Sequence, residues 1–189
     1  VLAAELIRRA GGIAEEDVLE DISGGCAATV AYLDGSDWGA TNTGVSVDAN
    51  GVLSGSKFMV PDAAQATWIA VVGSDAAGDT VVALVAGSDV AAQAQASHAL
   101  IDLTKRASTL DFTGVKAQRV LSGDKVASAI RDYLLIGALL TAAEAVGSTS
   151  ACLTGIVDYL KTRKQFGKLI GSFQALKHPT VDILSLIHI

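Results

Sequence analysis

The sequence has few residues that could cross-link the chain or bind a metal. It contains two cysteines, Cys26 and Cys152, which form no CxxC pair and no other metal-binding spacing. Its three histidines, His98, His178 and His188, form no ligand pattern. We therefore expect neither a disulfide nor a metal site. Cysteine usage of this kind is typical of a reducing compartment, so we expect a cytoplasmic protein.

Charge is also scarce. Charged residues make up 18% of the chain and hydrophobic residues 50%, and the mean hydropathy is +0.43. The formal net charge of −6 argues against a nucleic acid as partner, because such partners need a basic surface. A composition this apolar is unusual for a soluble monomer. It suggests that further segments or partner subunits cover parts of the surface.

The longest apolar stretch runs from Tyr133 to Val157, where Glu144 is the only charged residue. About 20 apolar residues are enough to cross a bilayer. The stretch nevertheless contains several hydroxyl side chains and is bounded by charged residues at both ends. A buried helix in a bundle explains this composition better, so we expect no membrane span. The hydroxyl residues, apart from Tyr133, are Thr141, Ser148, Thr149, Ser150 and Thr154.

The hydrophobic period changes twice along the chain, which predicts an α+β protein in three parts. Residues 1–26 are expected to form a short helical segment. Residues 27–121 contain short apolar runs separated by turn signals such as Asn50-Gly51, a pattern typical of an antiparallel β-barrel. Residues 122–189 have apolar positions at helical spacing. They predict a long helix to about Lys164 and the start of a second helix, as part of an incomplete bundle.

The most unusual stretch is Tyr159 to His178, which has five lysines and arginines and no acidic residue. One interpretation is that these cations stabilise the C-terminal end of a helix dipole. The other is an anion site: Arg163 would end the long helix, and Ser172 would N-cap a second helix. Because Phe166 could lie against a ring, the second interpretation indicates a nucleotide-like ligand.

The order of residues in this stretch resembles the C-terminal helical domain of the acyl-CoA dehydrogenase family. The similarity extends upstream through Gly55-x-Lys57 and the long helix. The residues that carry it in the basic stretch are Arg163-x-x-Phe166-Gly167, Ile170, Phe173-Gln174 and Asp182.

The resemblance implies an FAD enzyme that oxidises acyl-CoA thioesters between Cα and Cβ. It implies that Arg163, Gln165, Phe166 and Gln174 contact FAD, with the arginine and Gln174 reaching the FAD of a neighbouring subunit. It also implies a homo- or hetero-oligomer, and electron-transfer flavoprotein or a similar acceptor. The family's middle domain is a β-barrel that covers one side of the flavin.

The sequence departs from the family pattern in places that matter for catalysis. Most members carry a catalytic glutamate downstream of the basic stretch, and in one branch the base lies on the long helix, at the place of Gly137. Glu144 is interpreted as structural, and we nominate no catalytic base. Met59 and Pro61 stand where the family often has an aromatic residue and a threonine against the flavin. Leu33 to Asp37 replace the usual Thr-Glu-x-x-x-Gly-Ser.

Three interpretations follow. The chain is part of a catalytic acyl-CoA dehydrogenase, or part of a non-catalytic subunit that lends FAD contacts to its partner, or a scaffold without a ligand.

Two features near the end are unexpected in a helix: Pro179, which costs about 3 kcal/mol inside a helix, and the closing residues Leu184 to Ile189. The latter resemble translated sequencing adapter, and we expect the chain to stop matching the native sequence near Asp182 or Ile183.

Overall fold

The computed structural model describes residues 1–11, 16–37, 44–91 and 95–188. These residues form two compact units, Val1–Leu134 and Leu135–Ile189. The division of the sequence at residues 26/27 and 121/122 stays a prediction.

The first unit contains two N-terminal helices, eight strands and the first part of a long helix. The helices are α1 (Leu2–Gly11), α2 (Glu16–Ser23), α3 (Gly87–Ala91) and α4 (Asp124–Thr162). The strands are β1 (Ala28–Ala31), β2 (Val45–Val47), β3 (Leu53–Pro61), β4 (Trp68–Ser74), β5 (Thr80–Ala86), β6 (Gln95–Ser97), β7 (Ala107–Asp111) and β8 (Arg119–Leu121).

The eight strands form one sheet in the order β6-β7-β3-β2-β4-β5-β8, with β1 paired to β4 outside that path. Most neighbours are antiparallel, but β1 and β2 both run parallel to β4. The predicted α+β class is confirmed by this combination of helices and sheet. The Asn50-Gly51 turn between β2 and β3 is also confirmed, because Gly51 has a φ of 77° there.

Strands β4 and β5 bury side chains on both faces of the sheet. Ile69 and Val71 pack into one cluster with Leu53, Leu110 and other strand residues. The alternating residues Ala70 and Val72 pack into a second cluster on the other face. Helices α1 and α2 and the start of α4 cover that second cluster through Leu6, Ile7, Val18, Val126 and Ile130. Burial on both faces explains why β4 and β5 are continuous apolar runs rather than alternating ones.

The second unit consists of the rest of α4 and an antiparallel helix. After α4 ends at Thr162, a small hairpin forms from β9 (Lys164–Gln165) and β10 (Lys168–Leu169). A single 3-10 turn, Ile170–Ser172, leads into α5 (Gln174–His188). Pro179 lies inside α5, and the helix continues through residues 184–188. The origin of those last residues stays a hypothesis.

Most apolar side chains of α4 in the second unit are exposed. Leu135 is 63% exposed and Leu139 is 68% exposed, whereas Leu153 is buried. By length and composition alone α4 could cross a membrane, but a core helix of a soluble protein passes the same test. An apolar surface of this extent marks a contact with further protein.

We expect the substitution Leu84→Ala in β5 to lower the free energy of unfolding by about 2–5 kcal/mol, because Leu84 is fully buried and its removal leaves a cavity. The matched control is Leu140→Ala in α4, where the side chain is 44% exposed. That change should alter stability by no more than about 0.5 kcal/mol. Urea unfolding followed by circular dichroism measures both. Equal losses in the two variants would contradict the assigned core.

The exposed apolar side chains of α4 and α5 predict that the 189-residue chain self-associates in solution. Light scattering should show a mass well above 19.2 kDa at micromolar concentration. Replacing Leu135, Leu139 and Leu186 together by glutamine should shift the chain toward the monomer. A monodisperse parent monomer would contradict the interpretation of these faces as contact surfaces.

Candidate functional site

The residues proposed to contact a cofactor lie in the second unit, on the connection from α4 to α5. We call residues 163–174 the basic turn. The returning chain closes it: the Arg163 carbonyl accepts a hydrogen bond from the Ile170 N–H at 2.9 Å, while the Arg163 N–H still donates to Tyr159 in α4. Arg163 therefore sits where the helix ends and its backbone is held on both sides.

Phe166 and Gly167 form the two-residue tip of the hairpin. Gln165 pairs with Lys168 across it, and both tip residues have positive φ, 53° and 76°. A two-residue hairpin with both φ values positive matches a type I′ turn, which glycine adopts freely. Phenylalanine is an outlier in this conformation, so Phe166 is held under backbone strain.

The ring of Phe166 is 91% exposed. It makes an edge-on contact with Phe173, with ring centroids 6.3 Å apart and planes at 85°. Phe173 directly precedes Gln174, the first residue of α5. The turn therefore brings the ring of Phe166 next to the start of α5, within the same exposed surface as Arg163 and Gln165.

The predicted role of Ser172 as N-cap of the second helix is wrong. Its hydroxyl donates to the Leu169 carbonyl at 2.7 Å, inside the 3-10 turn. The helix starts two residues later, and the Phe173 carbonyl accepts its first hydrogen bonds, from Leu176 and Lys177. Because Phe173 has no side-chain acceptor, it leaves the first N–H groups of α5 without the partner that serine would supply.

The cations of the basic turn and its flanks form no ion pair with the residues that the structure describes. None of Lys161, Arg163, Lys164, Lys168 and Lys177 forms an ion pair with another residue in the described part of the chain. All five are exposed. An exposed aromatic ring beside uncompensated cations can bind an anionic ligand with a ring, such as a nucleotide.

Gly171 fixes the distance between the 3-10 turn and α4. A Cβ at this position would lie 2.8 Å from the Leu160 carbonyl oxygen and 3.3 Å from the Leu160 Cβ. Real Cβ atoms do not approach a backbone oxygen so closely, so only glycine lets the turn pack against the last turn of α4.

A second arrangement of interest lies in the first unit, on β3. The side chain of Lys57 is fully buried, and its Nζ donates to the Tyr32 carbonyl at 3.0 Å and to the Asp34 carboxylate. Burial lowers the pKa of the Lys57 ammonium, and the Asp34 carboxylate beside it opposes that shift. Lys57 lies on the same inner face of the strand as Leu53 and Gly55, because these residues occupy every second position. Our interpretation of the sequence missed the buried pair, although this inward register could have indicated it.

The strand bulges immediately after this pair. The register of β3 against β7 shifts between Lys57 and Val60, and Met59 in the bulge has a φ of 52°. The Phe58 N–H donates to the Leu33 carbonyl at 2.7 Å. The Phe58 ring contacts His98 edge-on at 4.8 Å. The bulge therefore presents Met59 in a strained conformation that its neighbours hold in place.

The structure adds no catalytic base to this arrangement. Glu144 lies exposed on α4, and the described residues offer it no ion-pair partner. Gly137, at the place of a base in one branch of the family that the sequence resembles, has no side chain to titrate.

Residues 127–188 match the family described as acyl-CoA dehydrogenase, C-terminal domain. Acyl-CoA dehydrogenase IpdE2 of Mycobacterium tuberculosis is 54% identical over 46 residues, which cover 24% of this chain and 14% of that protein. Acyl-CoA dehydrogenase FadE34 of the same organism is 49% identical over 49 residues, 26% of this chain and 7% of that protein.

Solved structures match almost the whole chain. A variant of the Tcur3481-Tcur3483 steroid ACAD has a TM-score of 0.81 at 27% identity, over 99% of this chain and 51% of that one. A glutaryl-coenzyme A dehydrogenase in complex with glutaryl-CoA has a TM-score of 0.86 at 22% identity, over 100% of this chain and 51% of that one. The chain thus spans about half the length of the solved structures that it matches.

We expect Gly171→Ala to destabilise the second unit, because the new methyl group would collide with Leu160 and push the 3-10 turn away from α4. The matched control is Gly147→Ala in the middle of α4, where a Cβ meets nothing within 4 Å. That change should stabilise the helix by up to about 1 kcal/mol. Thermal unfolding by circular dichroism separates the two signs. A stabilising effect of both substitutions would contradict the close approach.

Proposed function

We propose that the whole protein is a subunit of an FAD-dependent acyl-CoA dehydrogenase, because residues 127–188 match the C-terminal domain of that family and a solved member matches almost the whole chain. Its substrates are acyl-CoA thioesters, which it oxidises between Cα and Cβ, and this chain supplies contacts to the FAD. Electron-transfer flavoprotein or a similar acceptor takes the electrons. The observation that carries the proposal is the basic turn, with an exposed ring and uncompensated cations around Arg163.

Arg163 is the residue proposed to hold the pyrophosphate of FAD. A guanidinium offers two parallel N–H donors to phosphate oxygens, and here the backbone of the arginine is fixed by hydrogen bonds on both sides. The first N–H groups of α5 lie on the same connection and favour an anion as well. Gln165 and Gln174 supply amide donors and acceptors for polar groups of the cofactor.

Phe166 is proposed to pack against the cofactor. Phe166 has a strained backbone conformation and is 91% exposed. Its side chain therefore contributes little to the stability of the hairpin itself. Its large apolar area instead becomes available to a ligand or to a neighbouring subunit. As the family resemblance implies, the FAD of this proposal belongs to a site completed by a second subunit.

The sheet of the first unit is proposed to cover one side of the flavin ring. Met59 in the bulge and Pro61 at the end of β3 occupy the places where the family resemblance puts an aromatic residue and a threonine. Methionine provides a polarisable apolar contact. Proline has no hydroxyl and no N–H, so this segment donates fewer hydrogen bonds to the ring. When bound, FAD supplies the hydride acceptor, and the protein groups around it orient the substrate and exclude water.

A second candidate is a non-catalytic subunit of a hetero-oligomeric acyl-CoA dehydrogenase, which lends Arg163 and Gln174 to the FAD of a partner. The two candidates differ in whether the whole protein carries a carboxylate that can act as base, since α-proton removal needs one. The exposed apolar faces of α4 and α5 fit either a like or an unlike partner.

The whole protein purified alone should bleach its flavin when acyl-CoA is added if it is catalytic. If only a mixture with an unlike subunit bleaches, the second candidate holds.

The proposed role of Arg163 predicts a graded loss of FAD from the whole protein. Arg163→Ala should release FAD far more than Lys168→Ala, because it removes charge-assisted bonds worth about 1.5–3 kcal/mol each. Lys168 is an exposed point charge whose screened attraction is well below about 1 kcal/mol. Gln174→Ala should lie between the two. The measurement is flavin absorbance retained after gel filtration of equally folded variants.

Equal retention in all three variants would mean that the cations only stabilise helix ends. A parent protein without flavin, tested together with its partner subunit, would overturn the proposed function as a whole.

A further inference from the structure

Lys57 is unusual because it is a fully buried charge. Among the described residues, no other lysine, arginine, aspartate or glutamate is classed as buried, and the Lys57 side chain has 0% exposure. Removing an ammonium group from water is costly, and a buried ion pair recovers that cost only in part. The pair with Asp34 is therefore expected to contribute little to the free energy of unfolding. Its geometry indicates another role.

The pair connects the middle of β3 to the segment that follows β1. The Lys57 side chain holds the Tyr32 carbonyl and the Asp34 carboxylate, which both follow β1. The next residue of β3 holds the same segment through its backbone, since the Phe58 N–H donates to the Leu33 carbonyl. Two consecutive residues of β3 thus bind three consecutive residues after β1.

The carboxylate is also confined from the side of β2. An ideal Cβ on Gly44 would lie 2.5 Å from the Asp34 Oδ1. Only a glycine can stand there without moving the carboxylate. Gly44 directly precedes β2, whose Val45 pairs with Gly55 of β3. Asp34 is therefore enclosed between the Lys57 ammonium and the backbone that enters β2.

The bulge with Met59 lies directly beside this enclosed pair. A methionine with a φ of 52° is an outlier, and such strain persists only where surrounding contacts determine the backbone completely. On one side the pairing of β3 with β7 resumes at Val60. On the same side, at the end of the strand, the Thr29 hydroxyl donates to the Pro61 carbonyl at 2.6 Å. Before Met59 the chain is held by the Phe58–Leu33 hydrogen bond, by the pairing of Lys57 with Leu110 and by the buried side chain of Lys57 with its two acceptors.

We propose that Lys57 and Asp34 are positioning residues that hold the Met59 bulge in its left-handed conformation, against the flavin of the proposed FAD site. The inference rests on the proposed function for the identity of the ligand. The role of the pair in holding the bulge does not depend on the proposed function, because the contacts that hold the bulge all lie within the first unit. Neither residue is assigned contact with the reacting atoms.

The test compares removal of one charge with removal of both in the whole protein. Lys57→Leu removes the cation beside the Asp34 carboxylate, whose side chain is only 11% exposed, and should lower stability and flavin retention together. Lys57→Leu with Asp34→Asn removes both charges and should restore much of the stability. If the pair positions the bulge, this double variant still binds FAD about tenfold less tightly than the parent, which corresponds to the loss of a contact worth about 1.4 kcal/mol.

The matched control is another ion pair of the first unit. Arg119 donates to both carboxylate oxygens of Asp17, at 2.7 and 2.5 Å, and both side chains are partly exposed. Arg119→Gln with Asp17→Asn removes two charges at a place remote in sequence from the bulge. Its flavin retention and flavin spectrum should equal those of the parent.

A second readout does not depend on the cofactor. Met59 is the only methionine of the sequence, so a 13C-labelled methionine methyl group reports on the bulge, with its signal assigned by its loss in Met59→Leu. The double variant should shift this signal, and the control pair should not. An unshifted signal overturns the mechanical role. A shifted signal with full FAD retention and an unchanged flavin spectrum overturns the link to the cofactor. If the parent binds no FAD, the proposed function fails and the methyl signal alone decides the mechanical role.

Discussion

The pairing of β4 with β5 is the constraint on which the first unit depends. The two strands pair without a break from Trp68–Ala86 to Ser74–Thr80. Within each strand, every residue except the first and the last is buried. Each strand sends alternate side chains into the two hydrophobic clusters on opposite faces of the sheet. The helices on one face and the outer strands on the other are held by the same pair of strands, so a loss of this pairing would open both cores.

The second unit is stabilised differently. Among the described residues of this unit, Leu153 is the apolar residue that is buried, and much of the remaining apolar surface of α4 and α5 is exposed. Local backbone features fix its shape instead: the hairpin tip at Phe166-Gly167 and the close approach at Gly171. Because its core is small, this unit leaves apolar surface exposed that partners can contact. This agrees with a role in which the cations and Phe166 act on a cofactor site completed by a second subunit.

The two strained residues with bulky side chains, Met59 and Phe166, lie in the two regions proposed to contact FAD. Each is held by contacts that cost stability or contribute little to it: a buried ion pair beside Met59, and an exposed ring contact at Phe166. Strain of this kind is typical of sites where the position of a group matters more than the stability of the element that carries it. The helix and strand interiors carry the free energy of folding.

The sequence by itself determined the elements whose signals are local. The runs that become β4 and β5, the Asn50-Gly51 turn and the long helix were all predictable, because hydrophobic period and turn chemistry act within a few residues. The family resemblance of the basic stretch was readable for the same reason. The role of Ser172 was mispredicted because a 3-10 turn used its hydroxyl and moved the helix start to Gln174. Only the tertiary structure decided that β1 and β2 run parallel to β4 and that Lys57 meets Asp34, 23 residues away. Such contacts depend on chain segments that meet only after folding, so no local pattern encodes them.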